Sequence, residues 1–166
     1  LREKMKENGI TVYVVPSTDC HESEYVCPHY RARAYMTGFT GSAGTAVITM
    51  DKAGLWTDGR YFLQAEDQLR GTGILLFRVG EPGVPTVEEY VKTELCAGGC
   101  VGFDGKTMGA VSADKFRESV MEKGGSIYTE KDLVGEIWPD RPQIPDEKYI
   151  AYTLSDENAS AKEVQL

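Results

Sequence analysis

The sequence predicts an α/β layered domain built on a mixed six-stranded sheet with flanking helices. Three observations carry that expectation. Residues 10–15 form a continuous apolar run rich in β-branched side chains. Two short apolar runs, 45–50 and 54–57, are separated only by Asp51, Lys52 and Ala53. From residue 61 onward, helical and strand periodicities alternate regularly. Strands separated by single helices pair in parallel and a tight hairpin pairs antiparallel, so the sheet has to be mixed.

The elements follow in order. Residues 1–8 read as the end of an amphipathic helix, with Leu1 and Met5 one turn apart and Gly9 free to adopt a left-handed cap. The run 10–15 suits a strand buried on both faces, ended by Pro16 and the polar Ser17, Thr18 and Asp19. The pair 45–50 and 54–57 is the hairpin. Residues 61–69 fit a helix with Phe62, Ala65 and Leu69 on one face, and 74–79 returns as strand. Then come a helix over 86–95, a strand over 100–103, a helix over 112–123 broken by Gly124 and Gly125, and a strand over 126–129. Pro139, Pro142 and Pro145 exclude helix and central strand beyond Trp138. The expected organisation is therefore a domain over 1–138, a proline-rich linker over 139–146, and the start of a truncated second domain over 147–166, with Ser155 or Ser160 as a helix cap. The charged helical opening without an initiator Met gives the matching expectation at the other end, a chain beginning inside a longer product.

A chain of 166 residues encloses one sizeable core. Its formal net charge of −8, with no basic run, disfavours nucleic acid as a partner. No apolar stretch approaches the roughly 20 residues that span a bilayer, and residues 1–7 lack the apolar centre of a signal peptide. Cys20, Cys27, Cys96 and Cys100 allow two disulfides. Their spacing matches no small secreted framework, however, and a core of this size needs no staples, so reduced thiols in the cytoplasm are expected.

The most distinctive block runs from Gly38 through Phe39, Thr40, Gly41, Ser42, Ala43 and Gly44 to Thr45. Phosphate loops run from strand through glycines into a helix N-terminus, whereas these glycines lead into a strand and serve as backbone freedom at a turn. A nucleophile elbow at Ser42 fails because Thr40 stands where glycine is required. Asp58 precedes a helix and is expected to cap it. Arg60 would oppose the dipole of that helix, which points to a partner carboxylate; a plain intradomain salt bridge or a solvated side chain remains the alternative. Residues 17–25 follow the first strand at its carboxyl end, where α/β proteins tend to place ligands. Cys20, His21, Cys27 and His29 lack the paired spacings of structural zinc, and loop capping by Asp19 and His21 fits better. No nucleophile, base and orienting group assemble, so no catalytic residue is assigned.

Val14–Asp19 with His21 and Tyr25, the block Gly38–Ala46, the run Trp56–Ala65 and the exit Ile137–Pro142 together resemble the first domain of three-domain Xaa-Pro aminopeptidases of the creatinase/prolidase superfamily. The resemblance covers residues 1 to about 145, with Thr37 in place of the usual serine. It implies a creatinase N-terminal domain with a ribonuclease H-like motif. The domain itself would be non-catalytic and without cofactor, while two divalent metals, manganese by family habit, sit in a missing C-terminal domain of the same chain. It implies short proline-containing peptides as substrates, a homodimer, and Arg60 projecting toward the catalytic domain or substrate, with His21, Tyr25 and Asp58 supporting that edge. The alternative implied by the same resemblance is a pseudoenzyme, a peptide- or protein-binding module without hydrolysis.

Overall fold

The computed structural model describes residues 1–146, so the expected start of a second domain over 147–166 lies outside the described residues. A short helix α1 (Arg2–Glu7) ends at Gly9, whose φ of 67° is the left-handed conformation expected there. It feeds β1 (Val12–Pro16), which pairs antiparallel with β2 (Thr45–Thr49); β2 turns through a hairpin into β3 (Ala53–Thr57). Then α3 (Phe62–Gln68), β4 (Leu75–Arg78), α4 (Val87–Glu94), β5 (Cys100–Gly102), α5 (Ala110–Met121) and β6 (Ser126–Tyr128) alternate as the sequence predicts. The sheet has six strands in the order β4-β3-β2-β1-β5-β6, with β3–β4, β1–β5 and β5–β6 parallel. The mixed six-stranded sheet with flanking helices is thus the one expected.

Two helices were not foreseen. One is α2 (Ala32–Thr37), following a 3-10 turn at Pro28–Tyr30, and the other is α6 (Leu133–Glu136). Both are shorter than two turns, too short to show a 3.6-residue apolar period.

Burial alternates along β1. Val12 and Val14 face a core formed with Val91 and Leu95 of α4 and Phe116 of α5, while Tyr13 and Val15 face a second core with Met5 of α1 and Leu133 of α6. A third cluster, Phe39, Leu55, Ala65 and Leu69, lies under α3. Burying each of these larger side chains contributes about 1.5–3 kcal/mol. The central strands are thereby fixed against helices on both faces, and only their ends remain for function.

Candidate functional site at one edge of the sheet

Antiparallel pairing decides what comes together. Pro16 sits opposite Thr45, and Thr45 opposite Trp56. The segment leaving β1 (17–25), the glycine block arriving at β2 (38–44) and the turn leaving β3 (58–61) therefore emerge along one edge.

The glycine block is held by its carbonyls. Arg33, on α2, donates through Nη1 to the Phe39 carbonyl and through Nη2 to that of Gly41. Its Nε donates to Ser17 Oγ at 2.7 Å, and Ser17 Oγ donates to the Gly44 carbonyl at 2.6 Å. Thr57 Oγ1 donates to Ala43 O at 2.7 Å. From α3, the Gln68 side-chain carbonyl accepts from the Thr40 amide at 2.9 Å. Gly38 caps α2 at φ 73°, the backbone freedom the sequence argued for. Gly41 and Gly44 have a different cause: a Cβ at 41 would lie 2.3 Å from Phe39 Cζ, and one at 44 would lie 2.8 Å from the Trp56 carbonyl oxygen. They are glycines for want of space.

Arg33 is the residue the sequence reading missed. It is only 5% exposed, its guanidinium lies 4.7 Å from the centre of the Phe39 ring, and burial pushes its pKa down to about 10, still charged at neutral pH. The available signal was a cation between the half-buried Ala32 and Met36, one turn before a capping glycine.

Asp58 does not cap α3. Tyr61 occupies the N-cap position and makes no side-chain cap bond, and Arg60 lies one residue ahead of it, outside the first helical turn. The expected carboxylate partner of Arg60 is Asp58 itself. Arg60 Nε and Nη2 donate to Asp58 Oδ1 and Oδ2, each at 2.8 Å, and the Arg60 amide donates to Oδ1 at 3.1 Å. This fork holds the Asp58 carboxyl below its ordinary pKa and raises that of Arg60. The Arg60 side chain is still 68% exposed, so the pair orients it without burying it. Beside it, Ser42 Oγ and Tyr61 OH are 2.7 Å apart, and that bond lowers the Tyr61 pKa.

Two adjoining hollows mark the edge. One, of about 390 Å³, is bounded by Ser17, Glu24, Ser42 and Arg60. The other, of about 230 Å³, is lined by Glu24, Tyr25, Tyr30, Arg31, Arg33 and Ser42. Tyr25 therefore belongs to the edge that carries Arg60 and Asp58. His21 is placed apart, in a hollow with Met108 and Gly109. Asp19 performs the loop capping, accepting at Oδ1 from the His21 amide at 2.9 Å and the Ser23 amide at 3.0 Å. These two bonds lower its pKa. His29 Nδ1 lies 2.7 Å from the Pro142 carbonyl, and all four cysteines are free. Among the described residues no group of three or more His, Cys, Asp or Glu side chains is placed to hold a metal ion, and no helix is long and apolar enough to cross a membrane.

The creatinase/prolidase N-terminal domain family matches residues 1–130. This chain belongs to that family. It is 50% identical over 140 residues to aminopeptidase P2 of Arabidopsis thaliana, covering 82% of this chain and 20% of that protein. It is 45% identical over 152 residues to a probable Xaa-Pro aminopeptidase P of Pyrenophora teres f. teres, covering 90% and 23% respectively. The crystal structure of X-prolyl aminopeptidase from Caenorhabditis elegans, a cytosolic enzyme with a di-nuclear active site, superposes with a TM-score of 0.82 at 33% identity, covering 94% of this chain and 26% of that one. The chain thus spans about a fifth to a quarter of the length of these relatives, and is homologous to them over most of its own.

Proposed function

We propose that this domain is the non-catalytic N-terminal part of a metal-dependent Xaa-Pro aminopeptidase, which removes the residue preceding proline from short peptides, and that the Arg60 edge borders the parent's active site. Family membership and the aminopeptidase P relatives support the peptidase context. The observation that carries the role of the edge is Arg60, exposed yet aimed by a two-point fork from Asp58. A cation so held can meet a peptide carboxylate, or an acidic group of the catalytic domain, without first losing side-chain entropy. Tyr25 adds an aromatic side chain in the adjoining hollow, whereas His21 lies apart from this edge.

In this reading the two divalent metals, manganese by family habit, belong to the rest of the parent, in keeping with the di-nuclear active site of the Caenorhabditis elegans relative. Such ions would supply Lewis acidity and an activated water to the hydrolysis there. The contribution of this domain is electrostatic and steric: it narrows the mouth of the site, or contacts a second subunit of a homodimer. Free thiols suit a cytoplasmic parent.

The test is kinetic. In the full-length parent, Arg60→Ala lowers kcat/KM on an Xaa-Pro peptide by about tenfold or more, while the melting temperature moves by less than about 2 °C. Lost stability with intact kinetics would make Arg60 a packing residue, and no change in either would sink the reading. A parent lacking the metal ligands of the catalytic domain would mean a binding module without hydrolysis.

A further inference from the structure

Arg33 does more than hold the glycine block. Among the described residues two charged side chains are buried, Arg33 and Asp19. Asp19 is already engaged with the amides of His21 and Ser23, so it does not neutralise Arg33. A guanidinium has five N–H donors. Three of those of Arg33 go to Ser17 Oγ and to the Phe39 and Gly41 carbonyls, and the remaining two, one on each Nη, have no acceptor among the described residues. Among the described residues no carboxylate lies within ion-pair distance either, and the partners described for this desolvated cation are dipoles and a ring face.

That cation lines the 230 Å³ hollow, together with the exposed Arg31, whose Nε is turned to the Val26 carbonyl. Ser42, Tyr25 and Tyr30 also line it, so polar and aromatic side chains both contribute to the wall. The volume lies below the roughly 300–1,000 Å³ typical of sites for drug-sized ligands, and suits a molecule of amino-acid size. Glu24, which also lines the hollow, repels a dianion such as phosphate more strongly than a carboxylate monoanion, and can pair with the ammonium of a zwitterion.

We propose that this hollow is a carboxylate-binding site, taking a free amino acid or the terminal residue of a short peptide, with its carboxylate accepting from Arg33 and Arg31. The hollow adjoins the Arg60 turn and shares Ser17, Glu24 and Ser42 with it, but its cations are Arg33 and Arg31, so the proposal stands whether or not Arg60 meets substrate.

The test uses the ¹⁵N-labelled 166-residue chain titrated, at fixed ionic strength, with N-acetylglycine, with N-acetylglycinamide and with inorganic phosphate. Expected are saturable shifts at the Gly41 and Ser42 amides and at Arg33 Nε–H for the acid, with the amide and phosphate at least about tenfold weaker, since an ionised acceptor is what the guanidinium selects. Arg31→Ala, at an exposed position, weakens the acid about two- to fivefold without disturbing the fold, and Arg33→Lys abolishes the shifts. Should Arg33→Lys fail to fold, the comparison of acid with amide on the unaltered chain still decides. Equal response to acid and amide, shifts that do not saturate, or tighter binding of phosphate would each overturn the proposal.

Discussion

At Gly44 an added methyl group would sit 2.8 Å from the Trp56 carbonyl oxygen, an atom fixed in the sheet by the pairing of β2 with β3. Backbone of this kind cannot give way as a flexible side chain does. Gly44→Ala is therefore expected to destabilise the domain by about 1–3 kcal/mol, the usual cost of overpacking. Gly59 is the control: a Cβ there meets only Phe62, at 3.9 Å, and Gly59→Ala changes stability by less than about 1 kcal/mol in either direction. Urea midpoints of the two variants at constant m-value check both. The same contrast explains what was visible beforehand. Glycines 38, 41 and 44 marked a constrained turn, but only Gly38 is glycine for its dihedral angle, and the space around the other two depends on Phe39, Tyr61 and Trp56 folding over them. Arg33 was invisible for a related reason. Its partners are backbone carbonyls, which carry no mark in a sequence, whereas the partner of Arg60 could be expected as a carboxylate and stood two residues away as Asp58.

At the scale of the element, periodicity made the long pieces legible and the short ones not. Helix α4 is the clearest case. Thr86, taken from the pattern as the first helical residue, is its N-cap: Thr86 Oγ1 accepts from the Glu89 amide at 3.1 Å, and the Glu89 carboxylate accepts from the Thr86 amide at 2.8 Å. This reciprocal box closes two of the helix's unsatisfied donors, and Val91 and Leu95 on the same helix complete the core over β1. Thr86→Ala is expected to cost about 1 kcal/mol, seen as a lower urea midpoint, while Thr86→Ser keeps most of it. A Thr86→Ala midpoint equal to the parent's would mean that core burial alone holds α4. Helix α2, by contrast, has no box and only six residues, one of them the charged Arg33, which is buried. It exists because Gly38 caps it and because Ala32 and Met36 pack against the second core, contacts made by residues far along the chain.

For the whole molecule the question is where the domain stops. The prolines after Trp138 suggested an exit, and residues 139–146 a linker, yet the first part of that stretch is fastened to the body. Trp138 stacks on Tyr35 with ring centres 4.4 Å apart, and Tyr35 OH donates to the Ile137 carbonyl at 2.9 Å. Arg141 pairs with Asp132, the residue that caps α6, and its Nε donates to the His29 carbonyl at 2.8 Å. Asp132 and Arg141 are largely shielded from water, so removing one partner leaves a poorly solvated charge on the other. These contacts join the exit to the 3-10 turn and α2, the same elements that carry Tyr30 and Arg33. The Tyr35–Ile137 and His29–Arg141 bonds join residues about a hundred apart, which local patterns cannot announce. A chain ending at residue 138 should therefore melt at least about 4 °C below one ending at 146, a loss of roughly 1 kcal/mol in a domain of this size. Its amides over 28–37 should also exchange faster, since the turn and α2 lose their clasp. Equal melting temperatures and equal exchange for the two chains would support the boundary at Trp138 and make the Arg141 clasp a surface contact of no consequence.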